Sequence, residues 1–188
     1  RWRAARVRIA RADTEARVEP RFEPPAELAR DSHAVEHIAR ERAIFATRRQ
    51  ALDEQGALLN TQAREASAQA AGLQAQIEST GQSVQLSDEE LALNDQLASE
   101  GFVHRSRLIG LQRVASDYRT RMGEHRSELA QVRQRSGELQ ARGAQLRLQY
   151  QAQAVDELRE ATAVLREVEQ RLRPSRDHVE RQTVRAPV

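Results

Sequence analysis

Residues 33–37 read His-Ala-Val-Glu-His, which puts two imidazoles and a carboxylate at H-x-x-E-H spacing. On a helix this spacing brings both rings to one face with the acid beside them, a zinc-binding arrangement in metallopeptidases. Catalysis would further need a third ligand and an enclosed pocket, and a slender helical chain supplies neither. His33, Glu36 and His37 therefore read as the polar start of a helix, with no metal assigned. His125 is the other histidine in an informative setting, between Met122 and Leu129, where a polar group at an apolar seam sets register. No Ser-His-Asp set, phosphate-cradling glycine loop or paired carboxylates in a cleft can be assembled. The chain reads as a non-enzymatic interaction protein with no catalytic residue and no cofactor.

Composition leads the same way. Only 3% of the 188 residues are aromatic while 31% are charged, so the large side chains that fill a globular core are scarce. Ala, Gln, Glu, Arg and Leu dominate, and all are strong helix formers. Thirty basic residues, every one arginine, stand against 28 acidic ones for a net charge of +2, with the two signs interspersed. That describes a solvated helix surface, not the clustered positive charge and stacking aromatics of a nucleic-acid site. Cysteine is absent, which excludes thiolate chemistry and disulfides. The opening RWRAARVRIA and closing VRAPV look like the cut ends of an excised piece.

Periodicity supplies the elements. Ile38, Phe45, Leu52, Leu59, Ala66 and Leu73 recur every seven residues, and after a four-residue step the spacing resumes at Ile77, Val84 and Leu91. From Leu108 to Tyr150, steps of three and four alternate without a miss. A second stutter at Ala154 leads on to Leu158, Ala161, Leu165, Val168 and Leu172. Heptads mark coiled-coil seams, and four-residue insertions locally unwind them. Between the two series Gly101 can take the left-handed conformation that ends a helix.

The expected fold is all-α, a long antiparallel two-helix coiled-coil hairpin of about 100 Å at ~1.5 Å rise per residue. Residues 1–33 form a short N-terminal helix, over 1–10, and a linker broken by Pro20, Pro24 and Pro25. An ascending helix covers 34–100, a tip 101–105 and a descending helix 106–174, closed by Pro174. Residues 175–188 form a linker and a strand entering a β-domain. Asp31 or Ser32 caps the ascending helix. Interior glycines, among them Gly72, Gly123 and Gly137, mark close helix approach, or else flexibility or packing of one hairpin against another.

Three stretches carry a resemblance. The end D..VERQTVRAPV, the ascending ARERAIFATRRQALDEQGALLNTQ after FEPPAEL, and LASEGFVHRSRLIGLQR at the tip occur in the order and spacing of HlyD-like membrane fusion proteins. In that family the descending arm re-enters a lipoyl-like domain, commonly as R..IRAPV.G. The resemblance implies a periplasmic adaptor of type I secretion, anchored in the bacterial inner membrane. It implies a homo-oligomeric ring, a hexamer, around an ABC exporter, with hairpin tips docked on a TolC-like outer-membrane channel and an exported polypeptide as cargo. The channel-docking tip would then comprise Leu93, Leu97, Gly101, Phe102, Val103, His104, Arg105 and Ser106. Multidrug-efflux relatives carry Arg-x3-Leu-x6-Ser there. Leu97 matches the leucine, whereas Leu93 and His104 replace the arginine and serine, which favours protein export over the efflux alternative. A cytoplasmic structural coiled coil is a third reading, and it requires one continuous helix of about 200 Å. Phe102 either meets the channel or folds over Leu97 and Leu108.

Overall fold

The computed structural model describes the backbone of residues 1–182 and the side chains of residues 1–172. The elements are α1 (Trp2–Ala16), a 3-10 turn (Ser32–Ala34), α2 (Val35–Ser99) and α3 (Arg105–Gln182), with no strand among the described residues. The expected all-α class and antiparallel helical hairpin are found. The strand expected near the C-terminus falls on 183–188, outside the described residues.

Two compact units divide the chain, residues 1–57 with 143–188, and residues 58–142. In the first, α1 packs on the start of α2 and the end of α3. Its core joins Val7, Phe22, Leu28, Ala34, Ile38 and Phe45, with Trp2 and Ala10 against it. The Phe22 and Phe45 rings lie 6.1 Å apart and tilted. Phe22 and Leu28 come from the proline-rich linker, so that segment packs down as part of the core.

Helix α1 extends to Ala16, beyond the residue-10 end expected from sequence. The buried faces of Ala12, Thr14 and Glu15 explain the extension, because tertiary packing stabilises turns whose own propensity is modest. Its end is unusual. Val18 has φ +56°, and the Val18 and Glu19 amides donate to the carbonyls of Glu15 (2.9 Å) and Thr14 (3.0 Å). This is a Schellman turn with valine where glycine is the usual residue. Arg49 of α2 clamps it, its Nη1 donating to the Val18 and Glu19 carbonyls at 3.3 and 3.1 Å.

In the second unit Ala66 and Leu73 of α2 pack against Leu129 and Val132 of α3, with Ala70 and Ile77 beside them. Gln74 accepts from Arg133, Asp88 from Arg119 and Glu90 from Arg107, so numbering rises on one helix as it falls on the other. That antiparallel order excludes the continuous helix. Every expected seam position of α3 from Leu108 to Val168 is buried or half-buried. Leu172 is the exception, at 42% exposed.

Two further expectations change. Helix α3 does not stop at Pro174 but runs on to Gln182, so 175–182 are helix rather than linker. Proline removes one donor and crowds one preceding carbonyl. Once a helix is nucleated, each flanking residue still adds its own bond, and SRDHVERQ contains no glycine to stop it. Nor do close contacts explain the interior glycines, since a Cβ at Gly72, Gly123 or Gly137 would meet nothing within 4 Å.

Candidate functional site: the helical tip and the base charge cluster

The turn between α2 and α3 is built by Gly101. Its φ of +83° reverses the chain. The Gly101 amide donates to the Ala98 carbonyl at 3.1 Å and the Phe102 amide to the Leu97 carbonyl at 2.9 Å, the paired bonds of a Schellman motif. Such a motif usually folds the following apolar residue back onto the helix. Here Phe102 is 76% exposed, so it does not cover Leu97 or Leu108.

Around it the expected tip residues divide into two groups. Leu97 and Val103 are half-buried and hold the turn, while Gly101, His104, Arg105 and Ser106 are exposed. Leu93 is also exposed, six residues before the end of α2.

The H-x-x-E-H residues are placed differently from a regular helical site. His33 lies in the 3-10 turn, whereas Glu36 and His37 open α2. Asp31 caps that turn, accepting from the His33 amide at 2.9 Å. The hydrogen bond from Arg3, then that from the His33 amide, hold the Asp31 carboxyl below its ordinary range. Among the described residues no three His, Asp or Glu side chains gather into a metal-holding group. His125 is half-buried at its seam position.

Sequence reasoning missed a charge cluster in the first unit. Arg11 of α1 is 2% exposed and bonds to three glutamates: Glu15 of its own helix at 2.5 Å, Glu41 of α2 at 2.5 Å, and Glu157 of α3. Arg48 of α2 reaches Glu157 at 2.5 Å and Glu15 at 3.3 Å. Burial works against the charge on Arg11, but its bonds to Glu157 and Glu41 outweigh it and raise the guanidinium further. Burial also acts to raise Glu157, yet the bonds from Arg48 and Arg11 hold that carboxyl down at about 2. For Glu15 burial prevails over Arg11 and Arg48, and its carboxyl is raised. Tyr150 is pushed up to about 12, by burial and then by the negative charge of Glu15. In sequence only the Arg11–Glu15 spacing hinted at this cluster, and the same spacing is common on solvated helices.

A charge cluster that joins three helices, and a glycine turn that leaves one aromatic exposed, belong to an antiparallel helical hairpin with a third helix packed against it. Residues 1–178 match the family described as AprE, long alpha-helical hairpin, and the chain belongs to that family. It is 28% identical over 163 residues to the type I secretion system membrane fusion protein PrsE of Rhizobium meliloti (strain 1021), covering 87% of this chain and 37% of that relative. The chain thus spans little more than a third of the curated relative it matches. The crystal structure of the soluble domain of LipC, a membrane fusion protein of a type I secretion system, superposes with a TM-score of 0.87 at 22% identity. That match covers 100% of this chain and 89% of LipC's. The HlyD-like resemblance read from the motifs is borne out.

Proposed function

We propose that this chain is the helical part of a type I secretion adaptor that links an inner-membrane ABC exporter to a TolC-like outer-membrane channel. The observation that carries the reading is the likeness of this hairpin, whose residues 1–178 match the AprE long alpha-helical hairpin family, to a type I secretion system membrane fusion protein. The full-length protein is anchored in the inner membrane and works in the periplasm as a hexameric ring that passes a polypeptide cargo. No described helix is long and apolar enough to cross a membrane, so the reading assigns the anchor to a part of the protein other than these helices.

In this reading the tip docks on the channel. Phe102 and Leu93 supply apolar area, and His104, Arg105 and Ser106 supply a flanking rim. A small aromatic contact ringed by polar groups is the usual anatomy of an interface hot spot. Leu97 and Val103 act through the turn, keeping Phe102 outward.

Cysteine is absent from these 188 residues, so an introduced one is unique among them, and any cysteine elsewhere in the full-length adaptor is first replaced by serine. Phe102→Cys and Leu148→Cys, both at exposed positions in separate units, are placed in the full-length adaptor and treated with a short cross-linker in cells expressing exporter and channel. Adducts with the outer-membrane channel from position 102 and none from 148 are expected. Equal yields at the two positions, or no channel adduct at 102, would refute the docking role of the tip.

A further inference from the structure

Glu15 and Tyr150 border a cleft of about 280 Å3 within the first unit. Glu15 is 1% exposed. Its Oε2 takes Arg11 and Arg48, while its Oε1 has no hydrogen-bond partner among the described residues, and neither has the Tyr150 hydroxyl. An unpartnered buried oxygen is destabilising, more so when charged, and two of them at one cleft point to a donor that satisfies both.

Charge narrows the kind of donor. Glu15, Glu41 and Glu157 face only two guanidinium groups, Arg11 and Arg48, which leaves one negative charge uncompensated. A neutral donor would satisfy the oxygens and leave that charge; a cation satisfies both. Shape narrows it further. Gln55, Gln149 and Gln153 line it with amide groups, Leu52 and Leu146 with apolar surface, and Arg48 lines it while held by Glu157 and Glu15. The volume falls just below the ~300 Å3 at which drug-sized ligands begin to fit. A compact head with three donors on a short apolar stem suits this lining, and that describes an alkylammonium.

We propose that this cleft is a binding site for an alkylammonium group, its N–H donors shared among Glu15 Oε1, the Tyr150 hydroxyl and a glutamine carbonyl, with its methylenes on Leu52 and Leu146. Both oxygens lie beneath the cleft surface, so the flexible glutamine side chains swing aside on entry. The Tyr150 phenol, pushed up to about 12, stays protonated at neutral pH and acts as an acceptor for the ammonium. The sequence contains no lysine, so no side chain of a second copy of it supplies the group. The source is either a free amine or a protein lysine outside this sequence.

The test is calorimetric titration of the 188-residue chain at fixed ionic strength with n-butylammonium, with Nα-acetyl-lysine methylamide, and with tetramethylammonium, which has no N–H. Saturable one-to-one binding of at least one primary ammonium is expected, with none for tetramethylammonium. Glu15→Gln should weaken it about tenfold or more, the loss of one charge-assisted bond, and Tyr150→Phe severalfold. Lysine-derivative binding as tight as that of butylammonium assigns the site to a protein lysine; binding of butylammonium alone assigns it to a free amine. No saturable binding of either ammonium, or affinity unchanged in both variants, reduces the feature to a water-filled cleft and overturns the proposal. Should Glu15→Gln lose its helical circular dichroism, Tyr150→Phe decides alone.

Discussion

The Phe102 amide donates to the Leu97 carbonyl at 2.9 Å while the Phe102 side chain stands 76% exposed. The backbone bond closes the turn, and the ring takes little part in holding it. Phe102→Ala should therefore change stability by less than about 0.5 kcal/mol, as for other surface substitutions. Urea unfolding of the chain measures that. In the adaptor assembly the same change should reduce channel adducts from a cysteine placed at neighbouring Val103.

Gly101 is the converse case, since its φ of +83° is strained for any residue with a Cβ. Gly101→Ala should lower stability by about 1 kcal/mol, and Gly101→Asn by less, because asparagine tolerates the left-handed region. Helical content should be kept in both, so the denaturation midpoint is the readout.

Val18 carries the same left-handed strain without glycine's freedom, and a β-branched side chain is the least suited to it. Val18→Gly should raise stability by about 1 kcal/mol, less the added entropy of the unfolded chain. If Arg49 is what holds the turn, Arg49→Met should lower stability in the native sequence more than in the Val18→Gly background, a coupling that a double-mutant cycle reads directly.

Acid should loosen the first unit through Glu157. Its carboxyl lies at about 2 in the folded chain against an ordinary 4.5, so it contributes stability that is fully present above about pH 4.5 and is lost as pH falls toward 2. The contribution is on the order of 3 kcal/mol. Glu15, raised by burial, acts in the opposite sense, contributing stability below its unfolded value that is lost as pH rises through its folded one. Glu157→Gln should flatten the fall in stability between pH 4.5 and 2, whereas Glu15→Gln should remove the gain in stability that comes as pH falls toward 4.5 from above. Chemical denaturation on both sides of pH 4.5 checks both.

Gly72, Gly123 and Gly137 sit exposed inside helices with open space where a Cβ would stand. Alanine at each should raise thermal stability, by about 0.5–1 kcal/mol per site. A loss of export by the full-length adaptor despite that gain would assign these glycines to contacts with a neighbouring molecule.

Much of the fold was legible in the residues. The seam from Leu108 to Val168 was readable because a buried stripe must recur with the helical period, and burial follows it position by position. The turn was readable because Gly101 interrupts two series of similar length. The extension of α1 to Ala16 was not, because Arg11 and Glu15 look like surface charges until Glu41, Arg48 and Glu157 are seen to meet them. The passage of α3 through Pro174 was not, because proline weakens a helix without fixing where it ends.

By itself the sequence determined the period, the reversal and the family, all of which depend on neighbours a few residues apart or on motif order. Only the tertiary structure decided which charges are buried. Arg11 and Glu157 lie 146 positions apart along the chain, and nothing local to either marks it as paired. The energy of a buried ion depends on what surrounds it on every side, and here those surroundings come from three helices at once.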